Sequence, residues 1–300
     1  MPGDAAPQGA TPRGSQGPHY DHDYTLIDPK PLCGALGAEI AGVDLSRPLD
    51  DALFAEIEAA FHEHIVLVFP DQTWTPAQQV AFTARFGPVE EHPLRSRPGL
   101  PDQPEVLVLV NKPGTRGARN DIWHSDISFW ERPPLGSVLY GLQVPEGYGD
   151  TLFCNMAAAY ARLSPALQQM LRPLRALHSA AGLAARNNAG DNNASPIAQV
   201  PDPVVHPVVR THPGSGKLAL YVNPWFTERF EGMTAAESRP LLDFLAAEAT
   251  RPENVYRHRW RQRDVIMWDN RAAMHYAVRD YDESQVRIMH RTTALGDRPV

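Results

Sequence analysis

Past residue 105 the chain reads mostly as short strand-like pieces, many of them separated by proline and glycine turns. Residues 106–110, 122–128, 137–144 and 151–155 are rich in β-branched and aromatic side chains and read as short strands. A hairpin is expected from 208–212 and 218–222, folded around Pro213-Gly214-Ser215-Gly216, with three strands closing the chain, the last over 286–295. Strands at this spacing exclude a regular βαβ repeat. They predict a mainly β fold with flanking helices, built on a jelly-roll or barrel core.

The expected helices carry recognisable starts. Asp50-Asp51 cap an amphipathic run over 52–64, followed by a buried strand over 65–69. Thr75 is the N-cap and Pro76 the first residue of a second helix ending near Gly87. Short helices over 156–162 and 166–171, the latter capped by Ser164-Pro165, and a longer one over 235–249 complete the set. An alternating stretch through 38–43 reads as a strand. The segment near 180–204, rich in Ala, Asn and Gly, reads as a long loop of the kind that serves as a lid. Residues 1–22 hold almost no bulky apolar side chain and are expected to be a disordered tail, leaving 23–300 as one domain.

Composition excludes several function classes. A net charge of -7 provides no basic footprint for nucleic acid. No apolar run reaches membrane-spanning length, and the N-terminus lacks the features of a secretion signal, so no membrane partner is expected. Cys33 and Cys154 sit in no Cys-x-x-Cys or zinc-type cluster, which points to a reducing, cytoplasmic setting with Cys154 as a small buried hydrophobe.

Two distant segments carry the chemistry. Trp123-His124-Ser125-Asp126 and the run from Trp268-Asp269-Asn270-Arg271 to His275 can together supply two imidazoles and one carboxylate to one metal ion. That donor set is the facial triad of non-heme Fe(II) oxygenases, which leaves coordination positions open. A His-x-Asp pattern alone is weak, because His19-Tyr20-Asp21 repeats it in the tail. On a strand, residues i and i+2 share a face, so a strand over 122–128 sets His124 beside Asp126. Spacing alone is equally compatible with a buried, metal-free hydrogen-bonded pair. Arg287 and Arg291, an even number of residues apart on the closing strand, share a face and offer two rigid forks for carboxylates. Their anionic partner is a dicarboxylic cosubstrate, a protein carboxylate or solvent.

With these blocks assembled, residues 26–300 resemble the taurine dioxygenase and dichlorophenoxyacetate dioxygenase family of Fe(II)- and 2-oxoglutarate-dependent enzymes. The resemblance rests on Trp123-His124-Ser125-Asp126, Gly149-Asp150-Thr151, the block from His206 to Pro213, Trp268-Asp269-Asn270-Arg271, His275 and Arg287-Ile288-Met289-His290-Arg291. It implies a double-stranded β-helix (jelly-roll, cupin-like) core, and His124, Asp126 and His275 as ligands of Fe(II). It implies further that Thr151 and Arg287 bind the distal carboxylate of 2-oxoglutarate. Arg291 falls near the cosubstrate's other carboxylate and the substrate's acid group, and His92, Asn120 and Ile127 at the substrate pocket. The implied reaction consumes O2 and 2-oxoglutarate, releases succinate and CO2, and hydroxylates a small organic anion. A product hydroxylated next to a sulfonate, sulfate ester or aryl ether collapses and releases sulfite, sulfate or phenol. Homo-oligomers, dimers or tetramers, are usual in such a family.

The chain departs from the family pattern at three points, one of them the lid segment, which is rich in Ala and Asn where aromatic contacts are expected. Arg95 stands where taurine dioxygenases carry an aromatic residue, and Tyr148 replaces a glycine before Gly149. An extra cation at Arg95 suits a differently placed or more anionic head group, while a solvent-facing Arg95 is the alternative. The carboxylate Asp126 argues against the related halogenases, which lack it. Two other classes compete: a β-barrel binding protein with a vestigial metal site, and a zinc hydrolase using the same His and Asp ligands. The latter leaves Thr151, Arg287 and Arg291 without a task.

Overall fold

The computed structural model describes residues 22–91, 99–114, 120–189, 196–282 and 284–300. The tail, the His19-Tyr20-Asp21 copy, His92, Arg95 and part of the lid segment lie outside the described residues. In chain order the elements are β1 (Lys30–Pro31), β2 (Ala38–Glu39), α1 (Asp51–His64), β3 (Val66–Phe69), α2 (Pro76–Ala84), β4 (Gly99–Leu100), β5 (Gln103–Asn111) and β6 (Pro134–Gln143). Then follow β7 (Thr151–Asn155), α3 (Met156–Arg162), α4 (Pro165–Leu171), β8 (Arg175–His178), α5 (Ala181–Asn188), β9 (Val204–Pro207), β10 (Val209–Thr211), β11 (Leu218–Leu220) and β12 (Thr227–Phe230). The chain closes with α6 (Ala235–Ala249), a 3-10 turn, β13 (Val255–His258), β14 (Val265–Asp269), β15 (Ala273–Ala277) and β16 (Arg287–Leu295).

Eight strands form the larger sheet in the order β1-β2-β3-β14-β6-β16-β5-β4. Only the β2–β3 pairing in it is parallel. Facing it are the smaller sheets β13-β7-β15 and β12-β8-β9 and the hairpin β10-β11. This is the jelly-roll layout, and period-2 alternation explains how it is filled. On β3 and β14, Val66, Val68, Ile266 and Trp268 point between the sheets to meet Phe153, Cys154 and Met274. Their neighbours Leu67, Phe69, Val265 and Met267 point outward and are covered by Ile57, Ala60 and Phe61 of α1 and by Phe82 of α2. Both faces are therefore buried, which is why the strand over 65–69 reads as an unbroken apolar run.

Local capping holds where the sequence places it. The side chain of Asp50 accepts from Leu53 N at the start of α1, and Thr75 and Gln78 form a capping box at α2. Four expectations need correction. Residues 122–128 are not a strand: His124 makes one isolated bridge, and the chain then turns. The segment near 180–204 is not all loop, because α5 occupies its first part. Four strands, not three, follow α6. The stretch over 38–43 gives only the two-residue β2, since the backbone bends away at Gly42, where φ is +82°.

Candidate active site

His275 lies on β15, whose one edge pairs with β7 in a register that sets it opposite Phe153. Its other edge takes up His124. The two histidines exchange backbone hydrogen bonds, His124 N to His275 O at 3.0 Å and His275 N to His124 O at 2.8 Å. Ser125 Oγ donates to Ala273 O at 2.8 Å, and Asp126 N donates to Asn270 Oδ1 at 3.3 Å. After this anchorage the chain turns through Ile127, whose φ of +49° lies in the left-handed region. His124 and Asp126 thus share a site through a turn rather than through strand alternation.

All three side chains are buried. Each offers one ligand atom, and these atoms lie within 4.8 Å of one another. Both imidazole Nε2 atoms are 3.8 Å from Asp126 Oδ1, too far for hydrogen bonds and close enough to share an ion. His124 Nδ1 donates to Ile122 O at 2.7 Å, which leaves the Nε2 lone pair free to coordinate. Burial lowers the pKa of both histidines, so they are neutral, as ligands must be. Burial pushes the Asp126 carboxyl up, but the charge of Arg291, with the hydrogen bond from Ser137, outweighs it and holds the group well below the usual carboxylate range. A neutral, neutral, anionic donor set with this convergence fits a divalent iron.

Around the triad stand residues whose roles the sequence did not reveal. Ser137 Oγ donates to Asp126 Oδ2 at 3.0 Å, and Arg291 Nη2 reaches the same oxygen at 2.8 Å. Arg291 has therefore found a protein carboxylate, although its Nε has no partner. Asp269 is fully committed elsewhere, to Arg271 at 2.6 Å and His212 at 2.8 Å, and is no fourth ligand. Trp225 and Phe226 meet the His124 ring at centroid distances of 4.7 and 6.0 Å. They supply the aromatic wall that is missing from the lid segment.

Arg287 is in a different state. Its guanidinium is buried, its Nε has no hydrogen-bond partner among the described residues, and its bond to Gly149 O is stretched to 3.5 Å. Desolvation lowers its pKa, opposed by Tyr281, and no carboxylate among the described residues contributes. The rings of Trp260 and Tyr281 lie about it, 6.0 and 5.9 Å from the guanidinium carbon. Trp260 Nε1 donates to Thr151 Oγ1 at 3.0 Å, so the Thr151 hydroxyl proton is free to point at an acceptor. A buried cation beside a free hydroxyl is a receptor for a carboxylate. Ile127 and Arg291 line a cavity with Leu107, Glu105 and Thr293, whereas half-buried Asn120 is held by its carbonyl, which accepts from Ala277 N.

The comparisons agree with this geometry. Residues 28–293 match the model of the taurine catabolism dioxygenase TauD, TfdA family. The chain is 37% identical over 281 residues to an alpha-ketoglutarate-dependent sulfate ester dioxygenase of Pseudomonas putida, covering 91% of each chain. It is 39% identical over 285 residues to the 2,4-dichlorophenoxyacetate dioxygenase of Cupriavidus pinatubonensis, covering 90% of this chain and 98% of that one. A crystal structure of a taurine dioxygenase from Burkholderia xenovorans superposes with a TM-score of 0.77 at 36% identity over 91% of both chains. With a buried His-Asp-His triad on a double-stranded β-helix, the chain belongs to the TauD/TfdA family of Fe(II)- and 2-oxoglutarate-dependent dioxygenases.

Proposed function

We propose that this dioxygenase hydroxylates a small organic anion with an apolar body, of the alkyl sulfate, sulfonate or aryloxyalkanoate class, at the carbon next to the heteroatom. Collapse of the product then releases sulfate, sulfite or phenol. The observation that carries the cosubstrate assignment is the buried Arg287 guanidinium, which has no carboxylate partner among the described residues and shares Trp260 as a neighbour with the Thr151 hydroxyl. The apolar body is supported by the aromatic wall at Trp225 and Phe226 and by Ile127 and Phe129 packed with it. The names of the Pseudomonas and Cupriavidus relatives, one a sulfate ester and one an aryloxyacetate enzyme, are consistent with such a substrate.

In this reading His124, Asp126 and His275 hold the iron, which when bound supplies the O2-activating redox chemistry. Arg287 and Thr151 fix the distal carboxylate of 2-oxoglutarate and so orient its other end toward the triad. Arg291 keeps Asp126 ionised and in place through the bond to Oδ2, and its free Nε faces the anionic end of cosubstrate or substrate. Trp225, Phe226 and Ile127 exclude water from the reacting carbon and hold the apolar body, with Asn120, His92 and Arg95 assigned to the substrate's other contacts. The working form is a cytoplasmic homo-oligomer, by analogy with the family. Among the described residues no helix is long and apolar enough to cross a membrane, and both cysteines are free.

The test is substrate-dependent succinate release across alkyl sulfates, sulfonates of graded chain length and aryloxy acids. Anions with apolar bodies should stimulate release more than taurine. Taurine as the best substrate would refute the apolar-body assignment, and no stimulation by any member would refute the substrate class.

A further inference from the structure

Four polar side chains lie buried just behind the turn that follows Asp126: Ser128 and His178 at 0% exposure, His206 at 1% and Asn223 at 5%. None is a triad member. Asn223 Nδ2 donates to Ser128 Oγ at 2.9 Å, and the Ser128 hydroxyl, its own proton still available, lies 3.0 Å from His178 Nδ1. Two residues further along the same turn, His206 Nε2 donates to Trp130 O at 2.9 Å. Both histidines come from paired strands, with His206 opposite Ala176 and His178 opposite Val204, so their rings stand on one face 5.2 Å apart.

The other end of Asn223 reaches a different part of the site. Its Oδ1 accepts the backbone N–H groups of Trp225 at 3.2 Å and Phe226 at 2.8 Å. These are the aromatic residues that pack against His124. One buried amide thus joins the turn carrying the carboxylate ligand to the wall carrying the imidazole contact. Burying four polar groups confers little net stability over an apolar filling of the same volume, and His178 Nε2 and His206 Nδ1 are left without hydrogen-bond partners among the described residues, but the directional bonds that Ser128 and Asn223 make narrow the geometry of the turn and the wall.

We propose that Ser128, Asn223 and His178 form a positioning network that fixes the distance between the Asp126 carboxylate and the Trp225-Phe226 wall. Through that distance it sets both metal affinity and the alignment of the substrate carbon. They are positioning residues, since none touches the reacting atoms. The inference rests on the assignment of His124, Asp126 and His275 as metal ligands. Ser128→Ala deletes the shared hydroxyl with little change of volume. His178→Phe deletes the acceptor, and His178→Asn restores one.

Mn(II) binding to the full chain is measured by calorimetry beside thermal melting, with the ratio of succinate formed to substrate oxidised as a second readout. Ser128→Ala and His178→Phe should weaken Mn(II) binding by about 10- to 100-fold, the range typical of groups that orient metal ligands. They should also raise the succinate ratio, and His178→Asn should recover part of both losses. A lower melting temperature in Ser128→Ala with unchanged Mn(II) affinity and succinate ratio overturns the proposal, and this variant decides if His178→Phe does not fold. Failure of the unsubstituted chain to bind Mn(II) overturns the metal assignment itself, an outcome distinct from equal binding by both proteins.

Discussion

Replacing Arg287 by methionine should have opposite effects on the free and the cosubstrate-bound protein. In the free protein the guanidinium is buried without a carboxylate partner among the described residues, and an uncompensated buried ion costs several kcal/mol even after relaxation. Methionine fills similar space without that cost, so the free Arg287→Met protein should melt at or above the parent temperature. Binding reverses the sign. Removing one partner of a buried ion pair costs ~3–5 kcal/mol, so 2-oxoglutarate affinity should fall by roughly 100- to 5,000-fold. In melts with Mn(II) in every sample and 2-oxoglutarate at 100 times its parent Kd, the parent gains about 2.7 kcal/mol. That corresponds to about 4 °C in Tm for a chain of 300 residues, and the variant should show little of it. A variant that melts several degrees lower when free, yet binds 2-oxoglutarate normally, would refute the reasoning, since Arg287 would then be serving an internal partner.

Asp126→Ala should abolish Mn(II) binding and succinate formation. It should also lower stability by ~3–5 kcal/mol, because Arg291 loses its buried carboxylate, and urea melts of the metal-free protein check the sign. Gly149→Ala places a Cβ 3.1 Å from Arg287 Nε and from Tyr281 at a backbone φ of +70°. The left-handed backbone alone costs about 1–2 kcal/mol. Calorimetry should find a weaker 2-oxoglutarate site with Mn(II) affinity intact. Acid should destabilise the fold through the buried histidines. Burial and the neighbouring His206 depress His178 to about 3, while burial, opposed by hydrogen bonds to backbone carbonyls, leaves His206 at about 4. The unfolded chain takes up their protons first, so stability is full above about pH 6.5 and declines as pH falls toward 3. His206→Gln, which cannot titrate, should flatten that limb between pH 7 and 4, and an unchanged slope would count against it.

Much of the fold could be read because its signals are local. The caps at Asp50, Thr75 and Thr234 are made by side chains three residues from their partners, and the helices they start match expectation closely. β8, β9 and β12 escaped notice because each has only four residues and is defined by pairing with distant partners. α5 has no side-chain cap at Ala180 and is secured by packing of Leu183 against Phe226 and its neighbours, which composition does not reveal. The triad was legible as a set of donors, since residue type carries the coordination chemistry. Its scaffold was not: alternation through Trp123, His124 and Ser125 imitates a strand, whereas β15 accepts only His124 and Ile127 reverses the backbone. Ser137 and Asn223 gave no signal, because a buried serine or asparagine declares itself only through what it bonds.

The backbone bridge between His124 and His275 also dictates when the site comes into being. Contacts such as Ser125 to Ala273 span 148 residues, so the loop bearing two donors has no edge to dock on until β15 exists and has itself paired with β7. The entropy of closing so long a loop must be met before the contacts across it repay any of it, so this pairing forms late. During synthesis the His-x-Asp segment emerges long before its docking strand, so the third ligand and the docking edge arrive together on β15. A ribosome stalled ahead of residue 273 therefore carries two of the three ligands and no metal centre.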